Sequence, residues 1–281
     1  MARSERTVPG GKPTRRGGRA SGPSSPAPEV RPVEASPPRV VEPRVLFIDA
    51  ALAVIDKPAG LLSAPGRQGE PCVAEWLAER RVVPDAAGLF NAHRLDRDAS
   101  GLLLFARTRD ALRHLVRQFE ERRVEKVYWA LVAGRVDRDG EIDKPIRNHP
   151  DGTHAMVSES GGKAALTRYT VLERFAGHSL LECRPVTGRL HQIRVHLAAI
   201  GHPLAVDPLY GSPQGLFLSA IKRDYRPSRR HAERALVDRL TLHARSIALA
   251  HPVSGAAVSF EAEPPKDLRA AIFQLRRWGA A

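Results

Sequence analysis

The chain has 281 residues, of which 42% are hydrophobic, enough for one large domain or two small ones with a real core. Lys and Arg outnumber Asp and Glu by 44 to 31, and the formal net charge of +13 favours polyanionic partners such as RNA or DNA. Two cysteines and the lack of an apolar run near the ~20 residues that span a bilayer argue against a disulfide-rich secreted domain and a membrane protein. Without a secretory signal pattern at its start, the chain is expected to be cytoplasmic.

Residues 1–43 differ in composition from the rest of the chain. They hold nine of the 23 prolines and few large apolar side chains, so they cannot bury enough surface to offset the entropy of ordering. Residues 1–28 carry six basic residues against one acidic residue, a net charge of +5. We predict a disordered basic tail over 1–43 and one folded domain over 44–281. The tail could be merely solvated, or it could be an arm that contacts RNA without sequence preference.

From residue 44 onward, the hydrophobic pattern predicts many strands and a few helices. Strands are predicted at 45–48, 52–55, 101–106, 124–133, 165–175, 178–186, 240–250 and 258–262. Helices are predicted at 109–123, 189–200 and 266–277, the first with an apolar face of Leu112, Leu115, Val116 and Phe119. The basic stretch 213–239 is expected to be an excursion with some helix. This order predicts an α+β fold with a largely antiparallel sheet.

The predicted helix at 189–200 has two faces of different character at ~100° per residue. The apolar face, expected to pack on the core, consists of Leu190, Ile193 and Leu197. A polar face, which could point into a cleft, consists of Arg189, Gln192 and His196. Arg194 lies within ~40° of Leu190 and is therefore drawn toward the buried side. Its guanidinium would then need a carboxylate partner, unless the side chain runs along the helix edge to solvent.

Asp96 is a candidate for that partner. It ends the polar segment 93–96, which leads into the predicted strand at 101–106. Catalytic side chains often occupy such loops, because a rigid scaffold positions them. The alternative is an Asp that only caps a turn.

At this point the sequence resembles a known family. Residues 93–106, from His93-Arg94-Leu95-Asp96 to Ala106, resemble the catalytic motif of the RluA-type pseudouridine synthases. Four further segments resemble family motifs in the same order: 57–61, 126–134, 187–196, and 242–244 with 251–252. The resemblance covers residues 45 to 265 and implies the pseudouridine synthase fold with a central RNA-binding cleft.

The resemblance implies a role for several residues. Asp96 would be the essential catalytic carboxylate, and Arg194 would form an ion pair with it. Tyr128 would pack against the target uracil and could serve as the base in a later proton transfer. The side chains expected to bind substrate or to shape the cleft are Arg94, Lys126, Arg189 and His191.

The implied reaction isomerises specific uridines of structured RNA, in ribosomal or transfer RNA stem-loops, to pseudouridine. It requires no cofactor and no metal, and the histidines lack the H-E-x-x-H and Cys/His spacings of zinc sites. We expect a monomer with no required protein partner and no additional S4-type RNA-binding domain. Ala99 and Val206 depart from the family's usual Thr and Gly, which puts fine substrate contacts in doubt. The alternative function is a non-catalytic RNA-binding or ribosome assembly factor on the same fold.

Overall fold

The structure is a computed structural model that describes residues 42–66, 70–83, 88–226, 228 and 231–279. These residues belong to one compact unit, Arg39–Ala281. The predicted tail at 1–43 lies outside the described residues, apart from its last two positions. In chain order the strands are β1 (Arg44–Ile48), β2 (Leu52–Lys57), β3 (Phe90–Asn91), β4 (Ser100–Ala106), β5 (Glu125–Ala133), β6 (Gly140–Asp143), β7 (Ile146–Asn148), β8 (Ala155–Val157), β9 (Leu166–Arg174), β10 (His178–Pro185), β11 (Leu242–Ala250) and β12 (Ala257–Glu261). The helices are α1 (Val73–Glu79), α2 (Arg109–Glu120), α3 (Gln192–Ala199) and α4 (Lys266–Trp278), with a short 3-10 turn at Leu218–Ala220.

Within the described ranges, ten strands form one mixed sheet and two form a separate hairpin. The main path of the sheet runs β1-β2-β4-β11-β5-β10-β9-β6, with β3 beside β4 and β12 beside β11, and β7 pairs with β8. β11 and β4 are parallel, whereas the other pairs are antiparallel. The predicted α+β fold with a largely antiparallel sheet is therefore confirmed.

The helices cover the sheet through apolar faces. In α4 these are Leu268, Ala271, Ile272 and Leu275, at the i, i+3, i+4 and i+7 spacing of one helix face. In α2, Leu115 is fully buried, but Val116 is 36% exposed, so the predicted apolar face was wrong at that position. None of the described helices combines the length and apolar character needed to cross a bilayer.

The structure contains every helix and strand predicted from the sequence, together with five short elements that were not predicted. The sequence pattern did not predict α1 or the strands β3, β6, β7 and β8, which have two to seven residues each. Helix α3 begins at Gln192 rather than at 189, because His191 has φ +50° and interrupts helical geometry. The excursion over 213–239 contains the short 3-10 turn, as expected.

One row of paired residues crosses the centre of the sheet. Lys57 on β2 pairs with Gly101 on β4, Gly101 with Ala244 on β11, and Ala244 with Tyr128 on β5. Gly101 has φ +108°, and a Cβ there would lie 2.2 Å from the carbonyl oxygen of Ala244. Only glycine permits this approach of β11 to β4. The row therefore brings Lys57 and Tyr128 to either side of the point where β4 begins.

Candidate active site

Arg194 lies in the first turn of α3 and forms ion pairs with two carboxylates, those of Asp96 and Asp207. Its Nη1 donates a hydrogen bond of 3.0 Å to Oδ2 of Asp96. Its Nε and Nη2 donate bonds of 2.8 Å each to the two oxygens of Asp207. The side chains are 6% exposed for Arg194, 0% for Asp207 and 22% for Asp96. Asp96 is therefore the one carboxylate of the pair that is open to solvent.

The burial of Arg194 follows from the helix that carries it. Position 194 lies between the buried Ile193 and Val195, and a buried guanidinium is tolerated when carboxylates satisfy its donors. Burial opposes the charged form of Arg194, but the hydrogen bonds that it donates to Asp207 and the charge of Asp96 outweigh this effect and raise the pKa of Arg194. The carboxylate expected for Arg194 is present, and the alternative path to solvent is not taken.

The polar face predicted for this helix does not line a cleft. Gln192 is buried, and its amide bonds Thr187 and Thr167 at 2.6 and 3.0 Å. His196 is fully buried between Thr167 and the carbonyl of Lys144, at 3.0 and 2.9 Å. Both side chains instead bond polar groups of β9 and of the loops after β6 and β10, so the cleft prediction was wrong for them.

Tyr128 is a partly buried residue near Asp96. It lies on β5 and packs against two separate apolar clusters. Burial, together with the negative charge of Asp96, raises the pKa of Tyr128 above its ordinary value. The negative charge of Asp96 thus acts on Tyr128, and the raised pKa keeps the phenol neutral.

His191 and Tyr210 complete the wall of the site. Nε2 of His191 lies 4.0 Å from Oδ1 of Asp96, and its Nδ1 lies 3.1 Å from the hydroxyl of Tyr210. That hydroxyl also bonds the backbone N–H and carbonyl of Ala155, at 2.8 and 3.0 Å. The ring of Tyr210 lies 5.1 Å from the Arg194 guanidinium, a cation–π distance. Tyr210 thereby joins the β7–β8 hairpin to the Asp96–Arg194 pair.

Lys57 hydrogen-bonds the loop that carries Asp96. It is fully buried, and its Nζ donates to the carbonyls of Pro58, Leu61 and Arg97 at 2.8–2.9 Å. Three acceptors match the three N–H donors of the ammonium form. Burial nevertheless lowers the pKa of Lys57 to about 7, although the charges of Asp98 and Asp96 act in the opposite direction.

The remaining predicted substrate residues lie around the site at greater exposure. Arg94 is exposed two residues before Asp96. Lys126 is half-buried on β5, and its charge adds to burial in lowering the pKa of His93 to about 4. Arg189 is half-buried and donates to the carbonyl of Ala164 at 3.2 Å. None of these three contacts the Asp96–Arg194–Asp207 cluster through a hydrogen bond or ion pair between described residues.

Three residues of the site were not predicted to have a role in it: Lys57, Asp207 and Tyr210. Of the three, only Lys57 lies within a segment that resembles a family motif, 57–61. For Asp207, a signal was available, because a buried guanidinium has more donors than one half-exposed carboxylate can accept. For Lys57 and Tyr210, which bond mainly backbone groups, the sequence offers no comparable signal.

A family model described as RNA pseudouridylate synthase matches residues 51–199. The "Ribosomal large subunit pseudouridine synthase D" of Nitrosomonas europaea is 40% identical over 240 residues, covering 83% of this chain and 65% of that protein. The protein of the same name from Neisseria meningitidis serogroup B is 41% identical over 256 residues, covering 88% and 66%. The chain thus spans slightly less than two thirds of the length of these two relatives. The one from Pseudomonas aeruginosa is 36% identical, covering 84% and 73%.

Two solved structures have the same fold. "Human RNA Pseudouridylate Synthase Domain Containing 1" superimposes with a TM-score of 0.61 and 28% identity, covering 82% of this chain and 87% of that one. "Human RNA Pseudouridylate Synthase Domain Containing 4" has the same TM-score at 26% identity, covering 83% and 92%. These matches confirm the resemblance found in the motifs.

Proposed function

The chain belongs to the RNA pseudouridylate synthase family, and from this membership we propose that it isomerises uridines in RNA to pseudouridine. The observation that carries the proposal is the 3.0 Å ion pair between Asp96 and Arg194, formed by the two residues that the motifs assign to catalysis. A fold kept only for RNA binding would have no need of a half-exposed carboxylate held against a buried guanidinium.

We propose ribosomal RNA of the large subunit as the substrate, because the named bacterial relatives act there by their names. The net charge of +13 favours a polyanion, and the reaction would take place in the cytoplasm. One chain supplies Asp96, Arg194, Asp207 and Tyr128, so a monomer can contain the whole site.

The proposed reaction breaks the N1–C1′ bond of a uridine and joins C5 of the uracil to C1′. The target nucleotide must leave its stack before a side chain can reach C1′, at a cost of a few kcal/mol. Asp96 would then attack C1′ or remove the C2′ proton as positive charge develops on the sugar. Its Oδ2 is held by Arg194, whereas Oδ1 receives no hydrogen bond from a described residue. Oδ1 is therefore the oxygen we assign to the reaction.

Arg194 and Tyr128 would assist in different ways. The guanidinium, fixed by Asp207, orients Asp96 and balances its charge. Tyr128 presents an aromatic ring on which the uracil can stack. Because its phenol is neutral, Tyr128 could take up the proton that C5 loses only while it passes its own hydroxyl proton to another acceptor such as water, or after that proton has already left.

The proposal can be tested by the release of tritium from RNA labelled at uridine C5, since that hydrogen must leave in the reaction. Unmodified ribosomal and transfer RNA would be supplied separately to the wild-type protein and to Asp96→Asn. We expect release from ribosomal RNA by the wild type, and none by the variant, whose amide can neither attack C1′ nor accept the C2′ proton effectively. Circular dichroism and an RNA-binding isotherm would establish that the variant still folds and binds.

Three other results would change the conclusion. Release by the Asn variant at the wild-type rate would remove Asp96 from its catalytic role. Release from transfer RNA alone would keep the reaction and correct the substrate. Tight binding to RNA without release from either pool would favour the non-catalytic assembly factor.

A further inference from the structure

The β7–β8 hairpin carries a second cluster of potential ligand atoms. Asn148 and Ala155 are the last paired residues of the hairpin, and His149 and His154 face each other directly beyond them. Their rings are stacked with centroids 4.1 Å apart. The backbone N–H of His149 donates to the carbonyl of His154 at 2.8 Å, which fixes the two residues as a pair across the turn.

Asp151 places a carboxylate between these two histidines. Its Oδ2 lies 2.9 Å from Nδ1 of His149, and its Oδ1 lies 3.7 Å from Nδ1 of His154. Thr153 fixes the carboxylate by donating two bonds of 2.8 Å to Oδ1, from its backbone N–H and its hydroxyl. In the described parts of the chain, Asp151 forms ion pairs with these histidines and with no Arg or Lys. Among the described residues, the two imidazoles are therefore the groups that pair with its negative charge.

This geometry agrees with what a transition metal requires. One nitrogen from each histidine and one oxygen from Asp151 all lie within 4.8 Å of one another. In a tetrahedral zinc site with ligand distances near 2.0–2.1 Å, the donor atoms are about 3.3 Å apart. The two nitrogen–oxygen separations, 2.9 and 3.7 Å, lie on either side of that value. Because the two rings are stacked at an interplanar angle of 19°, metal binding requires them to turn until both nitrogen lone pairs point at the ion.

We propose that His149, Asp151 and His154 form a binding site for Zn²⁺ or a related divalent transition metal at the tip of the β7–β8 hairpin. Two imidazoles and one carboxylate suit such a cation better than Mg²⁺ or Ca²⁺, which prefer oxygen ligands. Nδ1 of His154 would exchange its 3.0 Å contact with the Thr153 hydroxyl for the metal. Three protein ligands leave a fourth position of the tetrahedron open to a solvent oxygen.

The site lies beside the catalytic cleft without being part of the reaction. Ala155, which follows His154, binds the hydroxyl of Tyr210, and that hydroxyl contacts His191 beside Asp96. A bound cation would cross-link the two ends of the turn and fix the hairpin that Tyr210 joins to the catalytic pair. It would be a structural metal, and it would revise the expectation of a metal-free protein while leaving the expected chemistry unchanged.

Zinc binding to the full chain tests this proposal independently of activity. Chelator-treated protein at pH 7.5 would be titrated with Zn²⁺ by calorimetry and by competition with a chromophoric chelator. The wild type should bind one equivalent that His149→Ala and His154→Ala bind at least about tenfold more weakly. His114→Ala, which removes an exposed histidine on α2, is the matched control and should bind like the wild type.

The ¹⁵N resonances of the histidine rings provide the second measurement. On addition of Zn²⁺, we expect Nδ1 of His149 and His154 to shift, and the ring of His114 to stay unchanged. Lack of binding by the wild type would overturn the proposal. Equal binding by the wild type and the two hairpin variants would overturn it as well, since the metal would then lie elsewhere.

Discussion

Asp207 accepts hydrogen bonds from Nε and Nη2 of Arg194 and leaves Nη1 of that guanidinium for Asp96. The completely buried carboxylate thus fixes the plane of the guanidinium, and the guanidinium in turn fixes the half-exposed carboxylate. Because Asp207 bonds Arg194 and not Asp96, we assign it the part of a positioning residue in the proposed reaction.

Asp207→Asn should separate positioning from chemistry. The amide keeps the shape of the carboxylate but leaves a buried guanidinium with one charged partner, which should lower the free energy of unfolding by about 3 kcal/mol. We expect turnover to fall roughly 100-fold, because the Asp96 carboxylate is no longer held in place, with little change in RNA affinity. Urea unfolding and single-turnover tritium release measure the two effects. Asp224→Asn, at an exposed position, is the control, and an Asp207 variant with unchanged turnover would contradict the positioning role.

Tyr128→Phe tests the hydroxyl apart from the ring. Phenylalanine keeps the stacking surface, so RNA binding should be unaffected. If the hydroxyl transfers a proton, turnover should fall by roughly 100- to 10,000-fold, as measured by tritium release. A Phe variant that is as active as the wild type would limit Tyr128 to stacking, and Tyr128→Ala should then weaken binding instead.

The pH dependence of the free energy of unfolding should show that the pKa of Lys57 is lowered in the folded protein. Its pKa is about 7 in the folded protein, against an ordinary value of 10.5, so between these values the unfolded chain binds a proton that the folded chain does not. Stability must therefore rise with pH over that interval, with a slope approaching about 1.4 kcal/mol per pH unit from this group, and Lys57 adds no slope below pH 7. Urea unfolding between pH 6 and 10 should show this slope for the wild type and not for Lys57→Met. Parallel curves for the two proteins would mean that Lys57 keeps its ordinary pKa.

Gly101→Ala should damage the junction between β4 and β11. The added Cβ would lie 2.2 Å from the Ala244 carbonyl oxygen, and φ +108° is strained for any side chain. We expect a loss of at least about 2 kcal/mol in the free energy of unfolding. Gly177→Ala is the matched control, since a Cβ there meets nothing within 4 Å. Similar melting temperatures for the two variants would contradict this prediction, because they would show that β4 and β11 can move apart at Gly101 without a loss of stability.

The basic segment at the start of the chain gives a prediction about salt. Deleting residues 1–43 removes eight basic residues, six of them within 1–28. If each of the eight contacts one phosphate, the slope of log K against log salt should decrease in magnitude by up to about six. Affinity for ribosomal RNA would be measured at several salt concentrations between about 50 and 300 mM. An unchanged slope would leave the segment as a solvated tail.

The sequence predicted those parts of the fold and site that depend on periodicity. Helical spacing predicted that Arg194 lies on the buried side and needs a carboxylate partner. In the structure the carboxylate of Asp96 lies 3.0 Å from its guanidinium. The same spacing misplaced Gln192 and His196, because it cannot tell a cleft from the polar groups of a neighbouring strand. Their partners Thr167 and Lys144 come from β9 and the loop after β6, and such tertiary pairings leave no periodic trace.

The second carboxylate illustrates the other limit. Asp207 lies in a segment with no helix or regular strand, 13 residues beyond Arg194. No local pattern there predicts burial, since burial arises from the folding of the segment over α3. The β7–β8 hairpin was missed for a related reason, because strands of three residues are too short for alternation to be seen.

The parallel pairing of β4 with β11 also determines when the site can form during synthesis. Ser100 meets His243, which the ribosome adds 143 residues later. At about 5–20 residues per second, β4 would wait roughly 7 to 30 s for this neighbour. Throughout that interval the start of β4, at Ser100 and Gly101, lacks the neighbour that β11 provides, and such an unpaired edge favours chaperone binding and aggregation. The Asp96 region can therefore reach its final structure only late, once residue 244 has left the ribosome.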